Sequence, residues 1–313
     1  MQVYGGALFW DPVGEARDAE ARGFDGVRVL DHFSAPASPD SVFSVPHSLV
    51  TLGAAAAATS RIGLTQTMLC STFRNPAEVA QAIATLHRIS GGRAELGLGA
   101  GWHRGEHEAF GYPFPGPAER LARLREAAII CRTMLRGNGV VSFEGRYYRA
   151  DYDVPWPELP SVPPLMIGGT GRRLLSLAGE VADRVDLVHG MRGGLPFLGG
   201  ELHNGVRRIA SLRDIAVRAG EAVGNSPAFS ATILVSLARD GGEVAARRGA
   251  VAAACGASVD ELADELLYVV GTPGDLRRAL DTLDGLGFDR VHLGALPPDA
   301  EATLDLISEL LRR

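Results

Sequence analysis

The chain has 313 residues, of which 46% are hydrophobic and 22% charged, a balance that suits a soluble globular protein with a sizeable core. Its formal charge is −6, so neither nucleic acid nor an anionic membrane surface is an expected partner, since both attract basic patches. Cys70, Cys131 and Cys255 lie far apart and form neither metal-ligand spacing nor a disulfide framework, which points to a reducing cytoplasm.

Gln2 to Leu8 reads as a strand, without the basic region and long apolar run of a secretion signal. Pro12 opens a helix to about Arg22, with Gly23 as its C-cap. Gly26 to Leu30 is the next strand and ends in Asp31-His32-Phe33. The Pro- and Ser-rich stretch from Ser34 to Pro46 has no helical period and reads as a long functional loop. A helix from Pro46 to Ala58 and a strand from Ile62 to Met68 follow. The alanine-rich part of that helix is too short to span a bilayer. After Arg74-Asn75-Pro76 comes a helix from Ala77 to Ile89, then a fourth strand from Ala94 to Leu98.

Glu119 to Leu135 carries apolar residues at helical spacing. Val140 to Tyr148 reads as a small hairpin around Glu144-Gly145, and a Pro-rich linker runs to Pro164. Leu165 to Ile167 is a fifth strand, followed by a helix from Arg172 to Val181 and a sixth strand from Arg184 to Val188. Gly190 to Gly200 reads as a loop that helps shape a pocket. A helix from Glu201 to Ala222 and a strand from Ala228 to Leu237 make the seventh unit. Helices cover most of Glu243 to Leu267, and another runs from Pro273 to Leu283. Arg290 to Leu293 is the eighth strand, and Asp299 to Arg312 the closing helix. Eight strands alternating with helices predict a (β/α)8 TIM barrel in a single domain, residues 1–313. A doubly wound sheet is the competing architecture.

Four stretches carry candidate chemistry. Gly97, Gly99 and Gly101 end the fourth strand, but they fail the dinucleotide fingerprint: its third glycine falls on Trp102 or on Arg104. Trp102 directly after them suits contact with a planar ring. His103, Glu106 and His107 spell H-x-x-E-H, the inverted zinc-protease motif, yet nearby Gly101, Gly105, Gly111 and Pro113 oppose the helix such a site needs, so no metal is expected. Asp31-His32 ends a barrel strand, where a histidine can relay a proton near neutral pH. Gly168, Gly169, Thr170 and Gly171 lead into a helix N-terminus, a setting that binds phosphate.

Taken together, these residues resemble the luciferase-like monooxygenase superfamily, and most closely its branch of F420-dependent oxidoreductases. The likeness rests on GFDGVRVLDHF (Gly23 to Phe33), on the run from Phe73 to Gly111, and on FEGRYY (Phe143 to Tyr148). PPLMIGGTGRRLLSLAGEVAD (Pro163 to Asp183) and VVGTPGDL (Val269 to Leu276) follow in the family's order. The resemblance implies coenzyme F420, with FMN as the alternative, at the C-terminal face of a bacterial luciferase-like barrel. The ring would lie near the end of the third strand, where a bulge with a cis peptide is expected at Thr67-Met68. Gly99, Ala100, Gly101 and Trp102 would line the ring and ribityl side, and Gly168 to Gly171 would hold the phosphate. Asp31 and His32 would flank the hydride-transfer centre, with His32, oriented by Asp31, handling the proton of a small-molecule substrate. Several F420-dependent sugar and alcohol dehydrogenases carry a catalytic glutamate directly after the glycine turn; here that position is Trp102, and the next acid is Glu106. A homodimer is also implied. An FMN-dependent monooxygenase with a partner reductase, and a non-catalytic flavin-binding barrel, are the rival functions.

Overall fold

The computed structural model describes residues 1–7, 10–38, 41–188, 205–255, 258–263, 265–296 and 299–312. In chain order it opens with β1 (Gln2–Ala7), α1 (Pro12–Arg22), β2 (Gly26–Val29), β3 (Ser34–Ser38) and β4 (Ser41–Ser44). Then come α2 (Ser48–Ala58), β5 (Gly63–Gln66), β6 (Leu69–Cys70), α3 (Pro76–Ile89), β7 (Leu96–Gly99) and the short α4 (Arg104–Ala109). The middle holds α5 (Pro117–Arg136), β8 (Val141–Glu144), β9 (Arg149–Tyr152), β10 (Leu165–Gly168), α6 (Arg172–Val181) and β11 (Arg184–Leu187). The chain closes with α7 (Val206–Glu221), β12 (Ala228–Leu237), α8 (Gly241–Cys255) and α9 (Val259–Ala263), then β13 (Tyr268–Gly271), α10 (Pro273–Gly285), β14 (Arg290–Ala295) and α11 (Ala300–Leu311).

Parallel strands in the order β5-β2-β1-β14-β12-β11-β10-β7-β6 form the main sheet. β5 and β6 are successive pieces of one stave, interrupted at a cis peptide between Thr67 and Met68. The first piece pairs with β2 and the second with β7, so this broken stave joins both ends of the sheet and closes the barrel. The expected (β/α)8 TIM barrel is therefore the observed fold, and the cis peptide lies at the expected residues.

Strand pleating sorts the side chains. Val27 and Val29 of β2, and Val185 and Leu187 of β11, join the apolar core between the barrel and its helices. The alternate residues Arg28, Arg184 and Asp186 are charged and still buried, and face the barrel interior. There Arg290 meets Glu95 at 2.6 Å, with Arg184 3.7 Å from the same carboxylate. One level up, Asp186 accepts from Ser230 at 2.7 Å and from Thr232 at 3.0 Å. Burial raises the Asp186 carboxyl, and burial together with Arg290, Arg28 and Arg184 keeps His292 well below its ordinary value.

Several expectations need correction. Ser34 to Pro46 is not a loop: β3 and β4 pair antiparallel, with Ser34 opposite Ser44. Its Ser and Pro content hid a hairpin that relies on backbone pairing rather than on an alternating apolar pattern. The second hairpin turns later than expected, with β9 covering Arg149–Tyr152 inside the presumed linker. Tyr268–Gly271 forms a strand that pairs with the far end of the ten-residue β12. Four buried residues directly after a helical stretch do not separate from it by periodicity. The Gly190 to Gly200 loop and the start of the helix expected from Glu201 lie outside the described residues.

Two glycines make opposite predictions. A Cβ on Gly179 of α6 would sit 2.1 Å from the Ala216 carbonyl oxygen of α7, so the two helices touch backbone to backbone. Gly179→Ala is expected to lower unfolding stability by about 1–3 kcal/mol in urea denaturation. A Cβ on Gly53 of α2 meets nothing within 4 Å, and Gly53→Ala is expected to raise stability by about 0.5–1 kcal/mol.

Candidate active site at the C-terminal mouth of the barrel

A cavity of about 380 Å³ opens where the barrel strands end, within the size range of small-molecule sites. Asp31, His32, Thr67, Met68, Gly99, Ala100, Gly101, Trp102, Gly168, Gly169 and Thr170 all line it; Gly171 does not. Phe73, Leu174, Val188 and Leu234 make much of the remaining wall apolar. A second hollow, of about 610 Å³, lies on the outer face between α1, α8 and α11 and contains none of these residues.

Three of the glycines also make room inside the protein. A Cβ on Gly168 would fall 2.4 Å from the Met68 terminal methyl, and one on Gly99 would fall 3.0 Å from the Met68 Cβ. One on Gly97 would meet the Gln66 carbonyl at 2.0 Å and the Met68 sulfur at 3.1 Å. The glycines of β7 and β10 thus make the slot into which the Met68 side chain descends from the broken stave. Met68 fills the space beneath the mouth, and the pocket forms above it.

Asp31 and His32 are neighbours in sequence with separate partners. The Asp31 carboxylate takes two hydrogen bonds from Arg74, at 2.7 and 2.9 Å, one from the Ser48 hydroxyl at 2.8 Å and one from the Cys70 N–H at 2.8 Å. It ties the end of β2 to the start of α2, to β6 and to the turn before α3. The expectation that Asp31 orients His32 is corrected by these partners: Asp31 binds Arg74, Ser48 and Cys70, and the imidazole Nδ1 binds Glu106.

His32 is held by Glu106. Its Nδ1 lies 2.7 Å from Glu106 Oε2, while Oε1 accepts the backbone N–H groups of Phe33 at 2.6 Å and Ser34 at 3.1 Å. Burial alone would raise the Glu106 carboxyl; the bond and charge of His32 and the two N–H groups outweigh it and hold the carboxyl below its ordinary value of 4.5. An ionised Glu106 accepts from Nδ1–H, which leaves Nε2 as the imidazole nitrogen available to a ligand. Nε2 makes no hydrogen bond among the described residues.

The other members of H-x-x-E-H diverge. The His103 ring caps the Glu106 N–H at 3.1 Å, and His107 binds the Thr72 hydroxyl at 2.7 Å and the His103 carbonyl at 2.9 Å. Trp102 stands at the rim, 37% exposed, with its ring edge-on to His32 and to His103 at centroid distances of 5.5 and 4.9 Å. Both ring contacts are edge-on, as suits a rim side chain that can meet a planar ligand.

Gly171 is the N-cap of α6 and supplies no side-chain cap, so backbone N–H groups at that helix start are open to an anion. Gly168, Gly169 and Thr170 bring this helix start to the pocket edge. The residues therefore suit a molecule with a planar ring over Met68 and a phosphate toward α6. Glu106 as the partner of His32, and Arg28 in the pocket wall, were not identified from sequence. Arg28 had a signal, a charged residue inside an otherwise apolar strand; Glu106 was named, but its pairing with His32 had no signal, since the two lie 74 positions apart.

The profile of the luciferase-like monooxygenase family matches residues 9–257. The F420-dependent glucose-6-phosphate dehydrogenase of Beutenbergia cavernae is 40% identical over 167 residues, 53% of this chain and 48% of that protein. The protein of the same name from Kineococcus radiotolerans is 39% identical over 54% of this chain and 49% of its own. This chain thus spans about half the length of the curated relatives it matches. Among solved structures, an F420-dependent secondary alcohol dehydrogenase in complex with an F420-acetone adduct superposes with a TM-score of 0.79, at 23% identity, over 99% of this chain and 97% of that one. The F420-dependent tetrahydromethanopterin reductase of Methanopyrus kandleri gives 0.74 at 21% identity, over 98% of this chain and 97% of that one. The barrel closed by a broken third stave and the match over residues 9–257 lead to one conclusion: the chain belongs to the luciferase-like monooxygenase family.

Proposed function

We propose that the chain is a coenzyme F420-dependent oxidoreductase acting on a small organic molecule, as one catalytic unit over residues 1–313. The observation that carries this reading is the 36–40% identity, over about half of this chain, to proteins named F420-dependent glucose-6-phosphate dehydrogenases. The pocket supports it: Ala100 and the glycine backbone above Met68 offer a flat wall, and the start of α6 offers an anion site. A homodimer in the cytoplasm accompanies the reading and rests on the family resemblance. Among the described residues, no helix is long and apolar enough to cross a membrane.

Coenzyme F420, when bound, supplies a two-electron hydride acceptor or donor. The chain's own contribution is positioning and proton transfer. When a substrate alcohol loses hydride from carbon, its hydroxyl proton passes to His32 Nε2; in the carbonyl-reducing direction the same nitrogen returns it. Glu106 offsets the imidazolium charge and keeps the ring in its tautomer. Asp31 and Arg74 hold the strand end beneath that pair. Trp102 and the apolar wall favour a substrate with an apolar body.

A second reading, an FMN-dependent monooxygenase, is favoured by one observation: a neighbour with a TM-score of 0.69 is the oxygenating constituent of a Baeyer-Villiger monooxygenase in complex with FMN. Parallel fluorescence titrations with F420 and FMN separate the two. We expect F420 to bind at least about tenfold more tightly, a difference of about 1.4 kcal/mol; tighter FMN binding with oxygen consumption sinks the F420 reading.

With a substrate in hand, His32→Ala is expected to lower turnover on the order of 10²–10⁴-fold, the range for loss of a proton-transfer group, with F420 affinity nearly unchanged. Unchanged turnover removes His32 from the chemistry. Glu106→Gln gives a pH signature in stability. The folded carboxyl titrates below 4.5, so its stabilisation is complete above that pH and is lost as pH falls through the lower folded value. Denaturation between about pH 2 and 5 is expected to show a shallower acid loss in Glu106→Gln than in the parent.

A further inference from the structure

Arg28 is a guanidinium without a carboxylate. It is buried inside the barrel, yet no acid lies within ion-pair distance of it among the described residues. Its only hydrogen bond there runs from Nη1 to the Thr67 hydroxyl, at 3.3 Å. Its Nε is buried without a partner. The head reaches across the barrel to β14, where a Cβ on Gly294 would sit 2.6 Å from Nη2. The same side chain lines the mouth cavity, beside Thr67 and Thr232.

Among the described residues, the other buried charges named in the barrel interior have partners. Glu95 serves Arg290 and Arg184, and Asp186 accepts from Ser230 and Thr232 with His292 at 3.7 Å. Asp186 acts on Arg28 only at longer range. A buried, unpaired guanidinium is unfavourable unless something supplies the missing acceptors. Its planar fork of five donors matches the two-oxygen or oxygen–nitrogen edge of a carboxylate, an enolate or an imide.

We propose that Arg28 is the floor anchor of the pocket, donating hydrogen bonds to an oxyanion or carbonyl oxygen of the molecule that fills it. Two sources could bring that chemistry: the imide edge of the ring, or a carboxylate or enolate oxygen of the substrate. The inference rests on the mouth cavity being the ligand site, and it holds whichever ring coenzyme binds there. Arg28 is a recognition residue in this account; the proton chemistry stays with His32.

The test uses Arg28→Met, which keeps the bulk and removes the donors, and Arg28→Lys, which keeps the charge. Thermal unfolding is measured without ligand. Affinities are measured for oxidised F420, for FMN and for acetate, with acetamide as the neutral control. The ligand-free midpoint of Arg28→Met is expected to equal or exceed that of the parent, because no native ion pair is lost. Its affinity for at least one probe is expected to fall at least about tenfold, the scale of a lost charge-assisted hydrogen bond, with partial recovery in Arg28→Lys. A loss confined to F420 or FMN assigns the edge to the ring; a loss confined to acetate assigns it to the substrate.

A lowered ligand-free midpoint with all affinities kept makes Arg28 a structural strut and overturns the proposal, as does an insoluble Arg28→Met. Unchanged affinities at an unchanged midpoint overturn it as well. Parent protein that binds acetate but neither ring refutes the F420 reading and leaves the acetate arm to decide Arg28. Parent protein that binds none of the three refutes both.

Discussion

The Glu106 carboxylate is the interaction on which the site depends. One oxygen holds His32 and the other holds the N–H groups of Phe33 and Ser34. Those two residues lead into the β3–β4 hairpin, so the same side chain sets the imidazole and the start of the element beside the pocket. α4 is only one and a half turns long and could not hold a fixed position alone. Here Glu106 ties it to the segment after β2, and His107 ties it to Thr72. The helix is held by these two adjacent buried side chains and carries Trp102 and His103 just ahead of it.

Below this pair, the pocket is built by subtraction. The third stave breaks at Thr67–Met68, and the Met68 side chain drops into space left by Gly97, Gly99 and Gly168. A methyl group at any of the three would strike Met68 or the Gln66 carbonyl, so the break and the glycines require one another. Asp31 fixes the adjoining strand end through Arg74, Ser48 and the Cys70 N–H. The two acids divide the work: Asp31 braces the scaffold and Glu106 holds the His32 ring.

Much of the scaffold was legible because alternation of strand and helix is a local signal. Gly23 as a C-cap and the helix beginning near Pro76 follow from residue chemistry alone, and both are found. The motif residues from Asp31 to Thr170 do meet in one cavity. Pairing was not legible. Asp31 beside His32 suggested a couple, but each side chain finds its partners elsewhere in the chain. Glu106 was visible as part of a metal-like spacing and as the next acid after the glycine turn, but its partner is set by tertiary packing. The second task of the glycines was not legible, because nothing in the sequence shows that Met68 would need their space. Tyr268–Gly271 was missed because a short buried strand and a helix end share one composition.

A crystal structure of the chain with F420 tests the central claim most directly. The account predicts the ring above Met68, against Gly99 to Gly101, with His32 Nε2 facing its hydride-bearing edge and Nδ1 still on Glu106. A ring bound outside this cavity, or an imidazole turned away from it with the Glu106 bond broken, would contradict the account.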